Sequence, residues 1–67
     1  MLKVELERED DGRWLAEVPA LPGVMSYGET DVDARAKATA LALRVIAERV
    51  EHGEPLPREL AGMFQLA

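Results

Sequence analysis

Few side chains in this sequence of 67 residues could take part in covalent chemistry. It contains one serine, Ser26, one histidine, His52, and no cysteine. Nucleophilic catalysis requires a nucleophile and a base within hydrogen-bond reach of each other. Ser26 follows a predicted corner, whereas His52 lies at the end of a predicted helix, far away in the sequence. We therefore predict no Ser/His pair and no enzymatic activity.

The other group with chemical potential is an acidic run, Glu7, Glu9, Asp10 and Asp11. Carboxylates can bind a divalent cation, but this run lacks the spaced oxygen ligands and the glycine of a calcium loop. The glycines of the chain are scattered as single turn and cap residues, so they form no phosphate-binding loop. We predict no metal and no cofactor, and interpret the acidic run as the charged tip of a hairpin.

Two aromatic residues are candidates for recognition, Trp14 and Tyr27. Trp14 alternates with Ala16 and Val18, which places it on the apolar face of a strand and predicts a core residue. Tyr27 lies on the opposite face of its strand, beside Gly28. Because tyrosine is enriched at the energetic centres of interfaces, Tyr27 is the better candidate for contact with a partner, with structural packing as the alternative.

These residues must be positioned by strands that precede a helix. Residues 2–6 alternate between apolar and charged, the pattern of an antiparallel strand with one face in water. Residues 9–12 form a turn that ends in Asp-Gly, which favours a tight hairpin. Residues 14–18 form the second strand, and the prolines and glycine of residues 19–23 end it in a corner. Residues 24–28 then form a third short strand.

A long helix follows, from Asp31 to about His52. Thr30, with Asp33 three residues later, resembles a capping box, and Gly53 provides the C-terminal stop. Beyond it we predict a stiff linker over residues 54–57, a helical turn over 58–60 and a short closing strand that contains Phe64 and Leu66. The predicted fold is α+β, with two layers in the order β-β-β-α-β and the helix across one face of the sheet.

The helix has two apolar stripes. We assign one stripe to packing on the sheet: Val32, Ala36, Leu43, Ile46, Ala47 and Val50. The second stripe consists of Ala34, Ala38, Leu41 and Val45. A helix on a small sheet needs only one apolar face, so we predict that the second stripe is an oligomer interface; harmless exposure is the alternative.

Composition narrows the possible partners. The net charge of −5 argues against binding of a nucleic-acid backbone, which draws its affinity from clustered Lys and Arg. A basic protein partner fits this charge, although an acidic excess can also serve solubility alone.

A chain this short has a thin core. Because it contains no cysteine, disulfides cannot support the fold, and oligomerisation is the remaining means of stabilisation. No signal peptide or membrane span is apparent, which favours a cytoplasmic location, and the absence of asparagine is typical of thermophile proteins.

The sequence from Asp11 to Thr30, DGRWLAEVPALPGVMSYGET, resembles the N-terminal domain of bacterial HicB-type antitoxins. The characteristic positions are D-G-x-W-x-A, P-x-L-P-G and S-x-G-E-T, and T-D-V-D-A resembles the T-x-x-E-A helix start of the family. The similarity runs from roughly Leu2 to Gly53. It implies a HicB-like fold, partly like RNase H, over a single domain of residues 1–67. Members of the family usually carry a second, DNA-binding domain, and we predict none here.

The resemblance implies a function in a toxin-antitoxin system. HicB-like domains neutralise small, basic, RNA-cleaving toxins of HicA type by direct contact, without catalysis. The partner-binding residues that we predict are Tyr27, Glu9, Asp10, Asp11 and Glu17, with Glu7 beside them, because acidic side chains complement a cationic surface. A stand-alone regulatory or structural oligomer without a toxin is the alternative. A small hydrolase or an RNA-binding module is a more distant alternative.

Overall fold

A three-stranded antiparallel sheet forms one layer of the molecule. The computed structural model describes residues 2–62. Strand β1 spans Glu5–Arg8, β2 spans Trp14–Glu17 and β3 spans Met25–Gly28, in the spatial order β1-β2-β3. Strands β2 and β3 lie within their predicted ranges, whereas β1 begins at Glu5 and extends to Arg8, two residues beyond its predicted end at Leu6. The predicted α+β architecture, with an antiparallel sheet and one long helix against it, is confirmed.

Two turns set the register of the sheet. In the β1–β2 hairpin the Glu9 N–H donates to the Arg13 carbonyl at 2.8 Å, and Gly12 has a φ of +89°, which a side chain would resist. Between β2 and β3 the chain folds back so that the Val18 N–H donates to the Val24 carbonyl at 3.0 Å. This corner buries Leu21 completely, which makes it one of the two largest fully buried side chains, with Val18.

The second layer is helix α1, Asp31–Glu51, of 21 residues. It begins at the predicted cap: the Thr30 hydroxyl accepts from the Asp33 N–H at 3.0 Å, and the Asp33 carboxylate accepts from the Glu29 N–H at 3.2 Å. It ends as the Glu54 N–H donates to the Arg49 carbonyl at 2.8 Å. These bonds satisfy backbone groups that a helix end would otherwise leave unpaired.

At most positions the two faces of α1 are the reverse of the prediction; Ile46, which the prediction assigned to the sheet, does pack against the core. Ala34, Ala38 and Ala42 are buried against the sheet, and Leu41 and Val45 pack beside them. Residues of the predicted sheet-facing stripe instead point outward: Val32, Leu43 and Val50 are 72%, 62% and 58% exposed. The chain itself thus covers the predicted oligomer interface, Ala34, Ala38, Leu41 and Val45, and that assignment is wrong.

The short β3–α1 connection explains this orientation. Only Glu29 and Thr30 separate β3 from α1, so the first helical turn lies directly against the end of β3. A methyl group added at Gly28 would overlap the Ala34 backbone, so the two segments are in close contact. Only a small side chain such as that of Ala34 fits there. The helical period then places Ala38 and Ala42 on the same side of α1, along the sheet.

Trp14 lies on the predicted face of β2, the face toward α1. It packs against the buried cluster formed by Ala16, Val18, Leu21 and the helix alanines, but it remains half-buried at the margin of that cluster. The core therefore consists mainly of small side chains.

The described chain ends in a short 3-10 turn, Arg58–Leu60, as predicted, which buries Leu60. The predicted closing strand at Phe64 and Leu66 lies outside the described residues. Among the residues described, no helix has both the length and the apolar character that a membrane span requires.

Candidate partner-binding site

Helix α1 covers one face of the sheet, and the opposite face, here called the open face, consists of two cross-strand rows and Arg13. In one row Glu5 pairs with Glu17, and Glu17 with Met25. In the next row Glu7 pairs with Leu15, and Leu15 with Tyr27. Apolar side chains thus occupy β3 and one position of the middle strand, Leu15, whereas carboxylates occupy β1 and the other position of the middle strand, Glu17.

Tyr27 and Met25 are the large apolar side chains that β3 presents to solvent. They are 45% and 43% exposed, whereas their neighbours in β3, Ser26 and Gly28, face α1. An exposed aromatic ring beside a thioether and Leu15 forms a small apolar centre with an acidic side. Centres of this composition are typical of protein interfaces, where aromatic residues and Met are enriched.

The acidic side of the open face contains a cross-strand pair of like charges. Glu5 and Glu17 lie directly opposite each other on β1 and β2. Like charges in this position destabilise a sheet. These two carboxylates line a shallow depression of about 440 Å³, which Lys3 also lines. Within residues 2–62, however, no lysine or arginine forms an ion pair with Glu5, Glu7 or Glu17. A cationic group from a partner would remove this repulsion.

Arg13 connects the hairpin tip to the open face. Its guanidinium lies over the Tyr27 ring, 4.3 Å from the ring centroid, and its Nε donates to the Asp11 carboxylate at 2.7 Å. The Arg13 backbone N–H donates to the other carboxylate oxygen at 3.0 Å. A cation over an aromatic face is attracted by the ring quadrupole. Asp11 therefore orients Arg13, and Arg13 covers one side of the tyrosine.

These contacts shift the protonation equilibria of both partners. The hydrogen bonds from the Arg13 backbone and then from its guanidinium hold the pKa of the Asp11 carboxyl below its ordinary value. The bond to Asp11 in turn raises the pKa of the Arg13 guanidinium. Both groups are solvent-exposed, so the pair orients side chains and contributes little to folding stability.

The structure places the predicted partner-binding residues in two groups. Tyr27 and Glu17 lie on the open face, as diagonal neighbours across β2 and β3. Glu9, Asp10 and Asp11 lie at the hairpin tip, where the Asp11 carboxylate is already occupied by Arg13. Arg13 connects the two groups through its contacts with Asp11 and Tyr27.

Sequence reasoning missed the roles of Arg13, Met25 and Glu5. Alternation within each strand could have placed Glu5 and Met25 on the same side as Tyr27. It could not have shown that Glu5 lies opposite Glu17, because that depends on the length of the hairpin turn. The position of Arg13 over the ring depends on its contact with Asp11.

The residues considered for catalysis are not brought together. Ser26 lies on the face of β3 toward α1, paired with Ala16. His52 is at the far end of the helix, where its Nδ1 lies 2.8 Å from the Glu48 carbonyl oxygen. Within the described part of the chain, no group of three His, Asp or Glu side chains is placed to hold a metal ion.

The described residues thus define a small α+β domain with an exposed, acidic and aromatic sheet face. Comparisons with protein-family models, with curated proteins and with solved structures gave no match for this chain.

Proposed function

We propose that this chain is a HicB-like antitoxin domain, a non-catalytic protein that neutralises a small, basic, RNA-cleaving toxin by direct contact. The resemblance of residues 11–30 to the family suggests the class of partner. The observation that carries the proposal is the pair Glu5 and Glu17, two carboxylates placed opposite each other on an exposed face without a described ion-pair partner. Surfaces that bind RNA carry clustered Lys and Arg, which would neutralise such a pair.

In the mechanism, the open face covers the cationic surface with which the toxin holds RNA. Glu5, Glu7 and Glu17 pair with the toxin's basic side chains, and Tyr27 inserts as the apolar anchor beside Met25. Arg13 holds the Tyr27 ring in place before contact, which reduces the entropy lost on binding. RNA is excluded because its phosphates would meet the same carboxylates.

The acidic hairpin tip has a different part in this mechanism. Glu9 and Asp10 lie beyond the face, so they act through long-range attraction, which raises the association rate. Charges that act in this way are screened over about 8 Å at physiological ionic strength. Their effect should therefore decrease as salt is added, whereas the contact of Tyr27 should not.

The test is co-expression with any small basic protein that is encoded beside this chain, followed by binding kinetics at two salt concentrations. Tyr27→Ala should raise the dissociation rate about 30-fold, equivalent to about 2 kcal/mol if Tyr27 is a hot spot. Reversal of Glu9 and Asp10 to Lys should slow association and weaken its salt dependence. Reversal of Glu48 and Glu54 to Lys, the same change in net charge near the far end of α1, is the control and should alter neither rate.

The outcomes separate function from site. Failure to form any complex would reject the antitoxin function. A complex that is indifferent to Tyr27→Ala and to charge reversal would retain the function and reject the open face as its site.

A second candidate function is a stand-alone oligomeric regulatory or structural protein without a toxin. The exposed apolar side of α1 favours it, since Val32, Leu43 and Val50 are all more than half exposed. This candidate is preferred if no neighbouring basic protein binds.

A further inference from the structure

The outer side of α1 carries a regular apolar pattern, here called the heptad seam. Its members are Val32, Ala36, Thr39, Leu43, Ile46 and Val50, separated alternately by four and three residues. This is the spacing with which one helix packs along another. Leu43 and Val50 are 62% and 58% exposed, whereas Ile46 is half-buried against the core, so the described chain covers the seam only in part.

The C-terminal half of the seam borders an apolar groove. The groove has a volume of about 680 Å³ and lies between α1 and the segments that contain Leu2, Val4 and Leu60. From α1 it is lined by Thr39, Leu43, Ile46 and Val50, among others. Residues 39–50 thus present both an exposed ridge and an adjacent depression.

We propose that the occupant of this groove is α1 of a second copy of the chain, packed antiparallel over residues 39–50. The spacing of the seam selects a helix as the partner, because alternating three- and four-residue steps match the period of two packed helices. The inference is independent of the proposed antitoxin function, since it concerns the side of the domain opposite to the open face.

The seam is complementary to itself in this arrangement. Antiparallel alignment over residues 39–50 places Leu43 of one copy opposite Ile46 of the other, and Thr39 opposite Val50. Ala40 then faces Ala47 of the second copy at the edge of the contact, and both are small and exposed, which allows close approach. A twofold axis repeats each of these contacts, as in most homodimers.

The charges beside the seam favour the antiparallel direction. Lys37 and Glu51 lie on the same flank of α1, near opposite ends of residues 39–50. An antiparallel pair brings Lys37 of each copy, which also forms an exposed ion pair with Asp33 of its own chain, toward Glu51 of the other copy. A parallel pair would instead place Lys37 beside Lys37 and Glu51 beside Glu51. Arg44 meets Arg44 of the second copy near the axis, at the solvent edge, where water and salt screen the repulsion.

The first experiment measures molar mass by light scattering over a range of concentrations. The contact is small, so we expect dissociation in roughly the micromolar range, and a mass that rises to twice 7.4 kDa. Leu43→Glu should abolish the rise. Val32→Glu is the matched control, since it makes the same kind of change on the same helix but outside residues 39–50, and it should preserve the dimer.

Circular dichroism measures the helicity of both variants and checks that they fold. We expect both to fold, because the Leu43 and Val32 side chains are largely exposed. A wild-type mass of 7.4 kDa at every concentration would overturn the proposal, as would a dimer that survives Leu43→Glu. Dissociation by Val32→Glu as well would overturn the alignment over residues 39–50.

The second experiment determines direction, and it uses the absence of cysteine from the chain. Ala40→Cys and Ala47→Cys proteins are prepared separately, mixed and oxidised. The antiparallel pair predicts a disulfide between the two different variants, and little between identical copies. Preferential cross-linking of each variant with itself would overturn the antiparallel arrangement.

Discussion

Gly28 lies against the backbone of Ala34, so close that a methyl group added at Gly28 would overlap the Ala34 amide nitrogen and Cα. This contact joins the end of β3 to the first turn of α1. It determines which side of the helix meets the sheet, and so which apolar residues remain outside.

We expect Gly28→Ala to destabilise the fold by about 3 kcal/mol, because the overlapped atoms belong to backbone and cannot move without shifting the helix. Chemical denaturation measures the loss. Gly12→Ala is the control: its added methyl group meets open space, and its cost of about 1 kcal/mol would come from the positive φ alone. Equal losses for the two variants would contradict the close contact.

The orientation of α1 can be tested by replacing each of two valines, in separate variants, with alanine. Val18 is 1% exposed and Val32 is 72% exposed. Val18→Ala should therefore cost about 2 kcal/mol through lost burial and a cavity, whereas Val32→Ala should change the free energy of unfolding by less than about 0.5 kcal/mol. A large loss at Val32 would support the helix orientation that the sequence predicted.

The sequence could predict the elements but not this orientation. The hairpin turn, the Thr30 cap and the end of α1 depend on residues within a few positions of one another, so each could be read locally. Both stripes of α1 are apolar, and the stripe with larger side chains has the stronger hydrophobic signal. The choice between them depends on the close approach of Gly28 to Ala34 in three dimensions, which side-chain periodicity does not contain, and burial of Leu21 depends on how the corner folds back.

The candidate site was predictable to a similar extent. Alternation placed Tyr27 on the face opposite Ser26 and Gly28, as the structure confirms. The pairing of Glu5 with Glu17 depends on register across two strands, and the position of Arg13 depends on its contact with Asp11. Single-strand patterns contain neither relationship.

Glu17→Lys should raise folding stability by about 0.5 kcal/mol, because it replaces a cross-strand repulsion with an attraction to Glu5. Denaturation at low and high salt measures this gain, which should shrink as salt screens the pair. Glu17→Gln, which removes the repulsion without adding an attraction, should give a smaller gain. A loss of stability with Lys would show that the Glu5–Glu17 repulsion is not significant.

The contact between Asp11 and Arg13 predicts a dependence on pH. The pKa of Asp11 is lower in the folded state than its ordinary value of about 3.9, so the unfolded chain binds more protons between those two pKa values. The stability contributed by Asp11 is therefore fully present only well above that ordinary value, and it is lost as the pH falls through the folded pKa.

Arg13→Ala should raise the pKa of Asp11 only part of the way to its ordinary value, because the backbone N–H of residue 13 still donates. NMR titration of the side-chain carboxyl carbon measures this change. Asp33 is the internal control, since Lys37 and then the Glu29 N–H lower its pKa, and its titration should be unaltered. An unchanged Asp11 titration would contradict the guanidinium contact.

The placement of α1 on only one side of the sheet gives the domain two usable surfaces that face away from each other. The open face and the heptad seam share no member, and of their two depressions only Val4 lines both. The alanine contacts between helix and sheet leave little room for the layers to slide, so occupation of one surface need not alter the other. The domain therefore has the geometry of a bivalent scaffold, in which a pair joined through α1 would display its two sheet faces outward.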